Sequence, residues 1–89
     1  MTPKEAVASA KLHLAELLAG EGLLPPTLEE IWFDKKEKSW VVTLGILRQD
    51  DSGKVLGRLG LRDLKVVRIL DKDGSMVAVR DRLNESLQQ

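Results

Sequence analysis

The segment of this sequence that most resembles a chemical site runs from Asp71 to Ser75 and reads Asp-Lys-Asp-Gly-Ser. Carboxylate oxygens bind Ca²⁺, so acidic residues that alternate ahead of a glycine suggest a calcium loop. An EF-hand loop has glycine at its sixth position and glutamate at its twelfth, whereas here Gly74 is the fourth residue and Arg82 the twelfth. A hairpin turn with positive φ at Gly74 explains these residues more simply. We therefore predict no metal site, and we expect Asp71 and Asp73 to matter little outside the turn.

The single histidine, His13, lies three residues before Glu16 on a predicted helix. A general base requires a reacting partner within reach and a group that orients it, and the sequence identifies neither. We interpret His13 as a residue at the edge of the buried helix face, whose removal leaves the fold nearly intact. Glu29, Glu30 and Asp34 lie on a predicted strand at spacings that mix its faces, so we interpret them as solubilising charges that protect a sheet edge. No catalytic residue is predicted.

Cofactor chemistry has no more support than acid–base chemistry. The chain has no cysteine, which excludes a disulfide, a thiolate nucleophile and a cysteine-based zinc site. Gly57 and Gly60 lack the helix and the lysine that follow the glycines of a phosphate-binding loop. We therefore expect no cofactor and a protein that is not an enzyme.

The charge of the chain argues against a nucleic-acid partner. Fourteen Lys and Arg balance fourteen Asp and Glu, so no long-range field attracts phosphate. The lysines at positions 35, 36 and 38 are interrupted by Glu37, with no aromatic stacking platform nearby. The sequence contains no apolar run of membrane-spanning length and no secretory signal. We expect a cytoplasmic protein with no membrane association, whose 89 residues form one domain over positions 1–89.

A helix is predicted over about residues 3–19. Thr2 and Glu5 form a capping box around Pro3 at the first helical position, and Gly20 suits the helix end. Ser9 and Glu16 are predicted to point away from the core. The apolar stripe of this helix consists of Ala6, Val7, Ala10, Leu14, Leu17 and Leu18.

Strand periodicity follows the helix, after a connector at 21–27 that contains two prolines. The predicted strands cover 28–34, 39–48, 62–70 and 76–80, with a ragged strand entry at 55–60. The tail, 81–89, forms either one helical turn or a frayed end. One N-terminal helix on a four-stranded antiparallel meander sheet is an α+β fold.

The alternation of the strands separates an inward face from an outer face. We expect Trp40 to anchor the core against Leu14 and Leu18. The other inward residues are Ile31, Phe33, Val42, Leu44, Ile46, Val67, Ile69, Val77 and Val79. The predicted interaction face is the outer face and contains Trp32, Val41, Thr43, Leu47, Leu64 and Val66.

One helix covers one side of a sheet, so the outer face predicts a contact surface. We expect it to build a homodimer or larger homo-oligomer, because symmetric pairing of identical patches is the commonest solution. The alternative is that Arg62, Lys65 and Arg68 lay their aliphatic stems over this face and keep the chain monomeric.

Three segments, at 28–34, 39–44 and 65–69, resemble small bacterial PepSY-like domains of the cystatin-like range of folds. In such domains the closing hairpin reads apolar-Asp-x-x-Thr-Gly. Ile69 to Gly74 resembles this motif, with Leu70 in place of the aspartate and Asp73 in place of the threonine. The resemblance implies a helix packed on an antiparallel sheet and a role in inhibiting or regulating peptidases, commonly outside the cytoplasm.

These observations favour a non-enzymatic module that binds a protein or peptide partner. An exposed strand edge offers backbone hydrogen bonds to an extended peptide, and the outer face offers area. Two alternatives stay open. One is a small ligand-binding protein or enzyme with a site between helix and sheet, and the other is an inhibitor or immunity protein for one target.

Overall fold

The computed structural model describes residues 1–49, 55–56 and 63–82 of the chain. Within these residues one α-helix precedes six β-strands. In chain order the elements are α1 (Pro3–Leu17), β1 (Thr27–Asp34), β2 (Ser39–Ile46), β3 (Arg48–Gln49), β4 (Val55–Leu56), β5 (Asp63–Leu70) and β6 (Met76–Arg82).

Four of the strands form an antiparallel sheet in the order β1-β2-β5-β6, and α1 packs across one face of it. This arrangement confirms the predicted α+β fold. β3 and β4 pair with each other in a separate sheet. The strand predicted over 39–48 therefore ends at Ile46 in the structure, and Arg48 belongs to β3. Of the predicted tail, residues 81 and 82 continue β6. The predictions for 57–60 and 83–89 lie outside the described residues.

The helix begins as its capping residues predict. The Thr2 side chain accepts a hydrogen bond from the Glu5 backbone N–H at 3.1 Å, and the Glu5 carboxylate accepts one from the Thr2 N–H at 2.7 Å. These bonds satisfy two backbone donors that would otherwise lack partners, and the bond from the Thr2 N–H to the Glu5 carboxylate is the main reason why the pKa of Glu5 is lowered. The helix ends at Leu17, earlier than predicted, and the chain then turns through Gly20 with φ of 87°.

The core lies between α1 and the inward face of the sheet, and the central strands supply most of it. This confirms the predicted inward face of β2 and β5. The buried cluster consists of Ala10, Leu14, Val42, Leu44, Ile46, Val67 and Ile69. Burial of these side chains is the main favourable term in the folding of so small a chain.

Two residues predicted to face inward are exposed. Leu17 is 56% exposed, and at this end of the helix Leu18 and Leu23 pack against the core instead. Val77 is 51% exposed because β6 contains a bulge, in which the register moves from Ala78 directly to Met76. A bulge adds one residue to one strand, so Met76 takes the inward position that strict alternation assigns to Val77.

Trp40 packs against the core cluster and is half-buried. Its ring meets Phe33 edge to face, with ring centroids 4.9 Å apart. The expected partners Leu14 and Leu18 line a cavity with Ile46, at the opposite end of β2. The prediction was wrong about Leu18, because the beginning of α1 lies over the Trp40 end of the sheet, whereas Leu14 belongs to the cluster against which Trp40 packs.

Candidate functional site

The turn between β5 and β6 lies against α1 and is held by one carbonyl group. Gly74 is buried with φ of 75°, and its carbonyl oxygen accepts a hydrogen bond from Ser9 Oγ at 2.6 Å. His13 Nε2 lies 3.1 Å from the same oxygen and donates to it. The position of Ser9 in the sequence predicts a side chain that points away from the core. The structure contradicts this prediction, because Ser9 bonds to the turn between β5 and β6. The Ser9 hydroxyl donates its hydrogen bond to this carbonyl oxygen, whereas a nucleophile that His13 activates would donate to the His13 ring.

Asp71 connects the same turn to β2 and to the start of the chain. Its Oδ1 accepts a hydrogen bond from Trp40 Nε1 at 2.9 Å, and the Met1 amino group lies 3.4 Å from it. The indole hydrogen bond is the main reason why the pKa of Asp71 is lowered. Asp71 and His13 therefore make tertiary contacts beyond the turn and the helix edge that the sequence predicts, and the small effect expected from removing either side chain stays a prediction. Asp73 is a turn residue as predicted, since its carboxylate accepts from the N–H and hydroxyl of Ser75.

Replacing Asp71 with asparagine is expected to make unfolding less sensitive to acid. The lowered pKa means that the carboxylate contributes stability that is complete above its unfolded pKa of about 4 and is lost as pH falls through the folded value. Urea titrations should show a constant difference in free energy of unfolding between wild type and variant from about pH 5 to 7, and a shrinking difference below about pH 4. A difference that persists into stronger acid would exclude a stabilising role for the charge.

The outer face, on the side of the sheet away from α1, is only partly open. Val41 and Thr43 are 5% and 2% exposed, so two residues of the predicted interaction face are buried in the single chain. Leu47, Leu64 and Val66 are half-buried, and Trp32 is 49% exposed.

Charged side chains cover part of the outer face. Arg68 Nη1 donates to Asp34 Oδ2 at 3.1 Å and to the Ser39 hydroxyl, and Arg82 Nη1 donates to Glu30 Oε1 at 3.0 Å. The pKa of Asp34 is lowered, first by the N–H of Glu37 and also by Arg68.

The three basic residues that were expected to cover this face behave differently. Arg68 covers the outer face as that alternative predicts. Lys65 does not, because it is paired with Leu44 in the strand register and binds Asp81 on the helix side. Arg62 lies outside the described residues.

A groove between α1 and β1 is a surface that sequence reasoning did not find. It has a volume of about 430 Å³ and lies beside a strand at the edge of the sheet. Its lining consists of Pro3, Lys4, Val7, Ala8, Lys11, Leu28 and Ile31. Strict alternation places Leu28 on the face of Trp32, and only the register shift between Leu28 and Glu30 turns it to the helix side with Ile31, where it is 45% exposed, so the sequence carried no signal for this groove.

A second cavity, of about 350 Å³, lies between the end of α1 and the connector. Its walls include Leu14, Leu18, Leu23 and Ile46, and none of its lining residues has a polar side chain. A ligand site with acid–base chemistry between helix and sheet requires such a group. Within the described residues, no three His, Cys, Asp or Glu side chains form a group that could hold a metal ion.

These surfaces belong to an α+β domain in which one helix packs on a four-stranded antiparallel sheet. A scan against models of protein families finds no match, and comparisons with curated proteins and with solved structures find no significant match. The resemblance to PepSY-like domains therefore depends on the hairpin motifs alone and stays a prediction. Among the described residues, no helix has both the length and the apolar character that crossing a membrane requires.

Proposed function

We propose that this protein is a non-enzymatic interaction module that binds an extended segment of a partner protein along β1. The observation that carries this proposal is the groove between α1 and the edge strand. Extended peptides bind folded domains by adding a strand to an open sheet edge, while side chains of the peptide enter pockets beside that edge. Here the edge and the groove lie side by side.

The available edge is the second part of β1. In the sheet, β1 is hydrogen-bonded to β2 as its neighbour, and an edge strand directs every second N–H and C=O group outward. The register with β2 is regular from Glu30 to Asp34, and it shifts between Leu28 and Glu30. A bulge interrupts pairing, so an added strand would align with residues 30–34.

The groove indicates which side chains the partner segment carries. Val7, Leu28 and Ile31 provide apolar contacts, and Lys4 and Lys11 supply positive charge with no acidic residue in the lining. Neither lysine takes part in an ion pair within the described part of the chain.

The spacing of Lys4 and Lys11 suggests the pattern of the partner segment. They are two helical turns apart, which is about 10 Å along the axis. Residues i and i+4 of a strand share a face and lie about 13 Å apart. A segment of the form acidic-x-apolar-x-acidic would place its apolar residue on Val7 and Ile31 and its acids near the two lysines.

A short peptide with the core Glu-Thr-Val-Thr-Glu tests this proposal against an analogue with lysine at both acidic positions. We expect the acidic peptide to shift the amide resonances of Val7, Leu28 and Ile31, and Lys11→Glu to weaken its binding about tenfold. Lys35→Glu, at the exposed turn between β1 and β2, is the matched control and should leave the affinity unchanged. Equal binding of both peptides, or perturbation confined to β6, would contradict the proposal.

A further inference from the structure

The strand register arranges the outer face in rows that cross all four strands of the sheet. One row contains Trp32, Val41, Arg68 and Ala78, from β1 to β6. The adjacent outer row contains Glu30, Thr43, Val66 and Arg80. Each row therefore begins with a β1 residue at one edge and ends with a β6 residue at the other.

The two ends of the first row have opposite shapes. At the β1 end, Trp32 is 49% exposed and forms a protrusion. At the β6 end, the small side chain of Ala78 leaves a hollow of about 120 Å³, whose other lining residues are Val41, Val66, Arg68 and Arg80. A surface that carries both a protrusion and a hollow can be complementary to itself.

We propose that the outer face binds a second copy of this chain, with the Trp32 of each copy in the hollow beside Ala78 of the other. A two-fold axis parallel to the strands turns one sheet onto the other, reverses the order of the strands and preserves each position along them. β1 of one copy then lies over β6 of the other, so Trp32 meets Ala78 within the same row. Sheets that pack face to face align within about 30°, which retains this match.

The charges of the outer face fit the same arrangement. The β1 side carries Glu30 and Asp34, whereas the β5 and β6 side carries Arg68, Arg80 and Arg82. Arg80 takes part in no ion pair within the described residues. The proposed symmetry places Arg80 of one copy opposite Glu30 of the other, as a second cation beside the Arg82 that Glu30 binds within its own chain. Arg80 also lies beside the Trp32 of that copy, where a guanidinium can stack on the indole.

The size of the face predicts the strength of this dimer. Four strands about 4.8 Å apart and about 23 Å long present roughly 400 Å² per copy, or roughly 800 Å² in total, which is below the size of a standard stable interface. We therefore expect a weak, transient dimer that dissociates on dilution. The groove between α1 and β1 stays open in this dimer, so the inference is independent of the proposed function.

Light scattering over a dilution series tests the pairing. We expect the mass to rise from 9.9 kDa towards twice that value as concentration increases. Trp32→Ala should weaken association at least tenfold without lowering the urea midpoint of the monomer, because Trp32 is half-exposed. Leu12→Ala, which removes an exposed side chain from the helix, is the control and should not change association. A mass of 9.9 kDa at every concentration overturns the proposal, and so does a dimer that Trp32→Ala leaves intact.

A charge exchange tests the geometry directly. Arg80→Glu alone should place like charges opposite each other in its homodimer, and Glu30→Arg alone should do the same with the opposite sign. When the two variants are mixed, both contacts again join an acid to a base, so the mixed dimer should form at least tenfold more tightly than either variant alone. A mixture that associates no better than its components would exclude this symmetry.

Discussion

Leu44→Ala is expected to lower the free energy of unfolding by about 3–4 kcal/mol. Leu44 is 0% exposed and belongs to the cluster that α1 and the sheet share. The substitution removes buried methyl groups and leaves a cavity that the surrounding strands can fill only in part. Urea unfolding followed by circular dichroism measures the change.

The matched control for Leu44→Ala is Leu12→Ala, which makes the same chemical change on the helix. Leu12 is 60% exposed, so its removal should change the free energy of unfolding by no more than about 0.5 kcal/mol. Similar losses from both variants would show that the burial of the inward face of β2 is not what stabilises the chain.

Trp40→Ala is expected to cost about 3 kcal/mol, at the lower end of the range for large aromatic residues because Trp40 is half-buried. The loss combines its packing on the core, its edge contact with Phe33 and its hydrogen bond to Asp71. Trp32 remains as a fluorescent reporter in this variant. An unchanged urea midpoint would mean that Trp40 is not part of the core.

Trp40→Phe separates the contributions to this loss. A phenylalanine ring retains much of the packing and removes the indole N–H that Asp71 accepts. We expect Trp40→Phe to be less destabilising than Trp40→Ala. The acid sensitivity that Asp71→Asn removes should also be reduced in Trp40→Phe, because the indole hydrogen bond is the main cause of the lowered pKa of Asp71.

The contacts of Ser9 and His13 with the turn between β5 and β6 have a structural consequence for the groove. They fasten the middle of α1 to this turn, while the groove lies on the opposite side of the helix, beside β1. The α1 residues that line the groove are therefore held in place by hydrogen bonds on the opposite side of the helix. A preformed groove loses less conformational entropy on binding a peptide.

The sequence by itself determined the elements and the faces of the central strands. The capping box at Thr2 and Glu5 defines the helix start through bonds three residues apart. The alternation of β2 identifies Val42, Leu44 and Ile46 as core residues because a strand turns successive side chains to opposite faces. Both signals are local, so they can be read without knowing what packs against them.

Tertiary structure decided how these elements meet. His13 and Ser9 reach the Gly74 carbonyl across 61 and 65 residues of sequence, and no local pattern specifies such contacts. The bulge that exposes Val77 and the groove between α1 and β1 likewise depend on the spacing of neighbouring elements. Periodicity assigns a side chain to a face, but only packing sets the distance from that face to its partner, and this distance creates a groove, a hollow or a hydrogen bond.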